Sequence, residues 1–236
     1  MVSSSFGIAS LPRGRLLAEM SLWSADLARM AEDMKRIDPY TDIYHLDAAD
    51  GHFSPAFLLF PDLVAAIRRN TTRPLHVHLM VEDAILLDQV KQFAEAGASI
   101  ISVHAENANA DEALALIGSL GLVPGIVLQL HTPAGAAKIY LERIGVLTFL
   151  GTRIGVKGQS LDSSATARLR EARIMIDGKG PKHRILLAAD GGIRENTVPD
   201  LYASGADTVV MGSLALNAPD LAARMAWVRA HAGRAQ

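Results

Sequence analysis

The chain contains no cysteine in its 236 residues. Disulfides and thiolate metal sites are thereby excluded, so any metal ion must be held by nitrogen and oxygen. A dominant charge is missing too: 23 Lys and Arg against 25 Asp and Glu leave a formal net charge of −2. That balance supplies no global field for nucleic acid or an anionic membrane. Nowhere do about 18 uninterrupted apolar residues occur. Met1 to Arg15 also lacks the basic segment and apolar stretch of a leader. The expectation is a soluble, unprocessed cytoplasmic protein. With 50% hydrophobic and 20% charged residues, the chain can bury a large core. It reads as one domain over 1–236, with 1–15 as an N-terminal extension.

Short runs rich in Ile, Val and Leu alternate with longer segments of helical periodicity, the pattern of βα units around a parallel sheet. Strands are predicted at Leu16 to Ser21, Ile43 to Asp47, Leu75 to Leu79, Ile100 to His104, Val123 to Leu128, Val146 to Leu150, Ile185 to Ala189 and Thr208 to Met211. Helices are predicted to begin near Ala25, Pro61, Val81, Asp111, Pro133, Ser163, Glu195 and Pro219. Ser24 and Asp26 are expected to cap the first, Thr132-Pro133 to open the fifth and Ala218-Pro219-Asp220 the last. Gly97, Gly121 and Gly205 stand where helices must turn into strands. Eight consecutive βα units close most naturally into an α/β (β/α)8 TIM barrel, with a doubly wound open sheet as the alternative.

The barrel gives meaning to the polar residues. In His45-Leu46-Asp47 the imidazole and carboxylate are two residues apart and share a strand face. His76-Val77-His78 repeats the pattern, and Asp190 precedes Gly191-Gly192. Side chains at the C-terminal ends of barrel strands converge on one mouth. His45, Asp47, His78 and Asp190 there would suit one divalent first-row ion, zinc foremost, with manganese, iron or cobalt as alternatives. Each of these residues taken singly also reads as a cap or hydrogen-bonded structural group. Gly191, Gly192, Gly212 and Ser213 fall on the strand-seven and strand-eight loops, where backbone N–H groups can cradle a phosphate, or where they form plain turns.

Several segments resemble the ribulose-phosphate 3-epimerase family. Ser21-Leu22-Trp23-Ser24-Ala25-Asp26 is similar to its opening segment, and His45-Leu46-Asp47 with Asp50-Gly51-His52-Phe53-Ser54-Pro55 to its His-x-Asp, Asp-Gly-His-Phe-x-Pro signature. Val77-His78-Leu79-Met80, Gly155 with Gly158-Gln159, Asp190-Gly191-Gly192-Ile193 and Gly212-Ser213 resemble later family segments in order. The resemblance implies a ribulose-phosphate-binding TIM barrel that inverts the carbon next to the ketone of a sugar phosphate. It implies metal ligands at His45, Asp47, His78 and Asp190, with Asp47 and Asp190 as the proton-transferring pair. It further implies substrate or phosphate contacts at Ser21, His78, Gly155, Gly158, Gly191, Gly192, Gly212 and Ser213, and self-association as a dimer or hexamer. By the same alignment His76 is a deeper residue, and His104 reads as packed and hydrogen-bonded. Asp50 and His52 read as turn residues.

The chain departs from the family's usual residues in places. Ala49 and Leu150 stand where methionine is usual, and Ala56 replaces an Asn. The strand-six loop reads Arg153-Ile154-Gly155-Val156-Lys157-Gly158 instead of Pro-Gly-Phe-Gly-Gly. The substrate is therefore left open among ribulose 5-phosphate and related tetrulose or hexulose phosphates. A Schiff-base aldolase needs a strand-end lysine, yet Lys35, Lys91, Lys138, Lys179 and Lys182 fall in predicted helices or connections and Lys157 in a loop. A barrel decarboxylase wants Asp-x-Lys-x-x-Asp, where this chain has Asp47-Ala48-Ala49-Asp50. A non-catalytic sugar-phosphate-binding barrel is the remaining alternative.

Overall fold

A computed structural model describes residues 6–178 and 184–233. Eight parallel strands close on themselves in sequence order: β1 (Leu17–Ser21), β2 (Ile43–Ala49), β3 (Leu75–Met80), β4 (Ile100–His104), β5 (Val123–Leu128), β6 (Val146–Leu150), β7 (Leu186–Asp190) and β8 (Thr208–Met211). The expected TIM barrel is therefore present, and the open sheet is excluded by the pairing of β1 with β8. The outer helices are α1 (Met30–Ile37), α2 (Pro61–Arg68), α3 (Asp83–Glu95), α4 (Ala110–Ser119), α5 (Ala165–Asp177), α6 (Val198–Ala203), the short α7 (Ser213–Leu216) and α8 (Leu221–Arg229). None is long and apolar enough to cross a membrane among the described residues.

Strand parity builds two concentric layers. Leu46, Ala48, Val77, Leu79, Leu147 and Leu187 belong to the core shared with helix residues such as Met34, Val64, Val90 and Leu169. The residues between them point into the barrel, where the first inward level is apolar. Leu17, Ile43, Ile100, Val146 and Leu186 cluster there with Ile8 and Leu11 of the N-terminal segment. That segment closes the floor as a single 3-10 turn over Ile8–Ser10. Arg184 fastens it by donating to the carbonyls of Ile8, Leu11 and Pro12. The next inward level is polar, with Glu19, His45, His76, Ser102, Thr148 and Thr208 all buried. Gly125 of β5 makes room for it, since a Cβ there would stand 1.9 Å from Ser102 Oγ.

Two helix starts depart from their expected caps. The first helix begins at Met30, not near Ala25, and neither Ser24 nor Asp26 caps it. Asp26 instead accepts from Ala28 N and Arg29 Nε, holding an extra turn ahead of the helix. After β5 the chain forms a 3-10 helix over Ala134–Ile139 with no side-chain cap. The Thr132 hydroxyl is turned away to Glu106, and buried Arg168 holds the carbonyls of Gln129 and Thr132. The last helix follows expectation, with Asp220 accepting from Ala223 N. Lys179 and Lys182 lie outside the described residues, while Lys35, Lys91 and Lys138 are on helices and not at strand ends.

Candidate active site

At the C-terminal mouth the register sets Asp47 beside His78 and Ser21 beside His45, so parity alone aims these groups at one another. His45 Nε2 and His78 Nδ1 each lie 3.2 Å from Asp47 Oδ1. Asp190 Oδ2 reaches to 3.8 Å and 3.7 Å of the same two nitrogens. The four facing atoms all lie within 4.8 Å of one another. Ser21 Oγ donates to Asp47 Oδ2 at 3.1 Å. Two imidazole nitrogens and two carboxylate oxygens, with no lysine or arginine paired to them among the described residues, form an electron-rich cluster, the donor set that a borderline divalent ion suits.

A cavity of about 310 Å³ opens above this cluster. Asp47, His78, Asp190, Ser21, Gly155, Gly158, Gly191, Gly192, Gly212 and Ser213 line it, and buried His45 lies beneath. Gly191 and Gly192 have φ of +91° and +70°, a run that glycine adopts without strain. A Cβ at Gly192 would meet the backbone of Leu161 at 2.6 Å, so the loop backbones close on one another here. Gly155 packs against Ser54 and Pro55 of the β2 loop.

The loop after β6 arches over the mouth. Lys157 donates to the Trp23 carbonyl at 2.5 Å and stands 4.7 Å from the centre of its ring. Gln159 ties the loop internally through the carbonyls of Arg153 and Val156. Lys157 and Arg153 thus both line the cavity. Leu150 lines it as well, whereas Ala49 is buried outside it.

Burial pushes both carboxylates up, and their neighbours then separate them. For Asp47 the charge and hydrogen bonds of His45, with those of His78, outweigh burial and hold it well below the ordinary carboxylate range. Asp190 is pushed up to about 6 by burial, with the charge of Asp47 adding to it. Two carboxyl groups facing one cavity thus prefer opposite protonation states.

Glu19, Ser102 and Glu106 escape the sequence reading. Glu19 on β1 is fully buried, and its Oε1 lies 2.8 Å from His45 Nδ1 and 2.5 Å from His76 Nδ1. Burial raises it, but His76 and His45 hold it far below its ordinary range. Its signal was available: Glu19 stands two residues before Ser21 on the same face of β1. His76 sits below the cluster and meets Ser102 Oγ at 2.6 Å. His104 bridges His78 and Glu106 at 2.9 Å and 3.1 Å, and burial pushes it down to about 4. Asp50 spends its carboxylate on the amides of His52, Phe53 and Glu82, a turn role.

A closed parallel barrel whose strand ends aim ionisable groups into one capped mouth has the build of a TIM-barrel enzyme. Comparison with known proteins narrows the class. The sequence profile of the ribulose-phosphate 3 epimerase family matches residues 17–216. The ribulose-phosphate 3-epimerase of Bacillus subtilis strain 168 is 34% identical over 195 residues, 82% of this chain and 88% of that protein. That of Escherichia coli K12 is 35% identical over 203 residues, 85% and 88% of the two chains. The chain therefore belongs to the ribulose-phosphate 3-epimerase family and is an isomerase that acts on carbohydrate phosphates. Two solved barrels share the fold alone. Orotidine 5'-phosphate decarboxylase from Pyrococcus horikoshii OT3 matches with a TM-score of 0.66 at 16% identity, covering 91% of this chain and 98% of that one. A 3-hexulose-6-phosphate synthase matches with a TM-score of 0.66 at 17% identity, covering 93% and 100%.

Proposed function

We propose that the chain is a metal-dependent 3-epimerase of a ketose phosphate, ribulose 5-phosphate or a related tetrulose or hexulose phosphate, with Asp47 and Asp190 as the proton-transferring pair. One observation carries this reading: the two carboxylates flank the same two imidazoles at the floor of the capped cavity. Inverting a carbon next to a ketone requires removal of its proton on one face and return of a proton on the other. A substrate lying between Asp47 and Asp190 would offer one face to each. One carboxyl must begin as base and the other as acid, and like charges sharing a site favour that split.

His45, Asp47, His78 and Asp190 would hold the ion, with zinc the first expectation from this donor set and manganese, iron or cobalt the alternatives. When bound, it supplies positive charge beside the ketone and hydroxyl oxygens, where negative charge grows as the proton leaves. Ser21 steadies Asp47 through its hydroxyl. The backbone N–H groups of Gly191, Gly192, Gly212 and Ser213 would take the phosphate. The loop carrying Gly155 and Gly158 covers the cavity and keeps water from the carbanionic intermediate. The family resemblance supports a cytoplasmic homo-oligomer, dimer or hexamer, folded as one domain.

The test is exchange of the carbon-bound proton with heavy water across a panel of ketose phosphates of four to six carbons, with metal content measured on the same sample. The reading expects deuterium at C3 of one of them and near-stoichiometric divalent ion. Binding of sugar phosphate without exchange would refute it.

A further inference from the structure

Building on the metal-site reading above, we propose that Glu19 and Glu106 are positioning residues. They hold one ring proton of His45 and one of His78 on the nitrogen turned away from the cluster, so that the nitrogen facing Asp47 and Asp190 is the one each ring would give to a metal ion.

Glu19 is fully buried and pairs with no lysine or arginine among the described residues. An ionised carboxylate only accepts hydrogen bonds. His45 Nδ1 and His76 Nδ1, at 2.8 Å and 2.5 Å from Glu19 Oε1, must therefore both donate. Thr208 Oγ1 donates to the other oxygen at 3.3 Å. With one proton fixed on Nδ1, the nitrogen of His45 left to give up its proton to a metal ion is Nε2, the atom that faces Asp47 and Asp190. His76 Nε2 in turn accepts from Ser102 Oγ at 2.6 Å.

His78 is placed the other way round, with Nδ1 facing the carboxylates and Nε2 lying 2.9 Å from His104 Nε2. One of those two nitrogens must donate. His104 Nδ1 stands 3.1 Å from Glu106 Oε2, so its proton belongs there and its Nε2 accepts. His78 Nε2 is then the donor, and His78 Nδ1 is the nitrogen left to take a metal ion. Glu106 is itself held by Gln129 N at 3.0 Å and by the Thr132 hydroxyl, and the Phe53 ring covers His104 at 4.9 Å.

The two rings thus take opposite tautomers, and each is the one its placement requires for the cluster. Packing alone gives no reason for that coincidence. A carboxylate behind a ligating imidazole fixes its orientation and raises its basicity, and losing such a partner costs about 10- to 100-fold in metal affinity.

Zinc affinity of the purified enzyme, measured by chelator competition, provides the test. Wild type is measured first, and a wild type that holds no divalent ion overturns the metal-site reading itself, and this role with it. Given a binding wild type, Glu19→Gln and Glu106→Ala should each weaken zinc about 10- to 100-fold, with turnover restored by excess zinc. Glu106→Gln keeps an acceptor for His104 and should recover most of the affinity that Glu106→Ala loses. Folded variants with wild-type affinity would overturn the proposal. Nitrogen-15 NMR of the zinc-loaded wild type decides the matter even if Glu19→Gln fails to fold. The proposal requires protons on His45 Nδ1 and His78 Nε2, and the reverse pattern would overturn it.

Discussion

The two ends of this barrel are built from the same strands and do opposite work. At the N-terminal end the inward residues are Leu17, Ile43, Ile100, Val146 and Leu186, and the turn bearing Ile8 and Leu11 packs onto them. At the C-terminal end the inward residues include Ser21, Asp47, His104 and Asp190 of these strands and His78 of β3. One end excludes water by apolar contact, worth about 1.5–3 kcal/mol for each large aliphatic side chain. The other gathers ionisable groups at a cost that structure alone does not repay, since unpaired buried charge is expensive. The difference separates what holds the fold from what the fold is for.

Substitutions should therefore split the two ends. The largest effect is expected at the mouth: Asp47→Asn or Asp190→Asn should lower kcat by about 10³-fold or more with little change in melting temperature. His76→Asn, one level down, should leave measurable activity. Steady-state kinetics beside thermal melts would show it, and equal losses in all three folded variants would erase the distinction between mouth and level below.

Second in size is a pH effect confined to the mouth. Unfolded histidine titrates near 6.5, and His104 in the fold titrates near 4. Between those values the unfolded chain binds the extra proton, so this contribution is complete above pH 6.5 and is lost as the pH falls toward 4. In chelator-treated protein the His104 contribution is worth roughly 3 kcal/mol at most, and Asp190, raised to about 6, offsets part of it because the folded state binds that proton first. His104→Asn should flatten the slope; an unchanged slope in denaturant titrations would contradict the assignment.

Leu11→Ala, at the opposite end, should cost about 2 kcal/mol in denaturant unfolding and leave kcat/KM at the wild-type value. A fall in activity there would show that floor and mouth are coupled. The smallest effect belongs to the loop that covers the cavity. Lys157→Ala removes the contact with Trp23, worth about 0.5–1 kcal/mol, and should raise KM about 2- to 5-fold with kcat nearly unchanged.

Much of this division can be read from the chain. Alternation of apolar runs and helical segments located all eight strands, because a parallel barrel buries both strand faces and leaves near-continuous hydrophobic runs. His45, Asp47, His78 and Asp190 stood out as polar residues ending such runs. Other parts depend on contacts that no local pattern carries. Glu19 in Leu17-Ala18-Glu19-Met20-Ser21 looks like one stray acid until β2 and β3 bring His45 and His76 to it. Lys157 meets Trp23 across a separation of 134 residues. The N-terminal segment shows no periodicity, and its role as a floor appears only when Ile8 and Leu11 meet the barrel interior. Thr132 and Ser24 failed as caps because tertiary neighbours claimed the Thr132 hydroxyl and Asp26 held an extra turn.

The most direct measurement is an anomalous-difference map at the zinc edge from crystals grown with zinc. The account predicts one strong peak enclosed by His45 Nε2, His78 Nδ1, Asp47 and Asp190, and none at the apolar floor. A map with no peak among those four side chains, from protein that turns over its sugar phosphate, would contradict it.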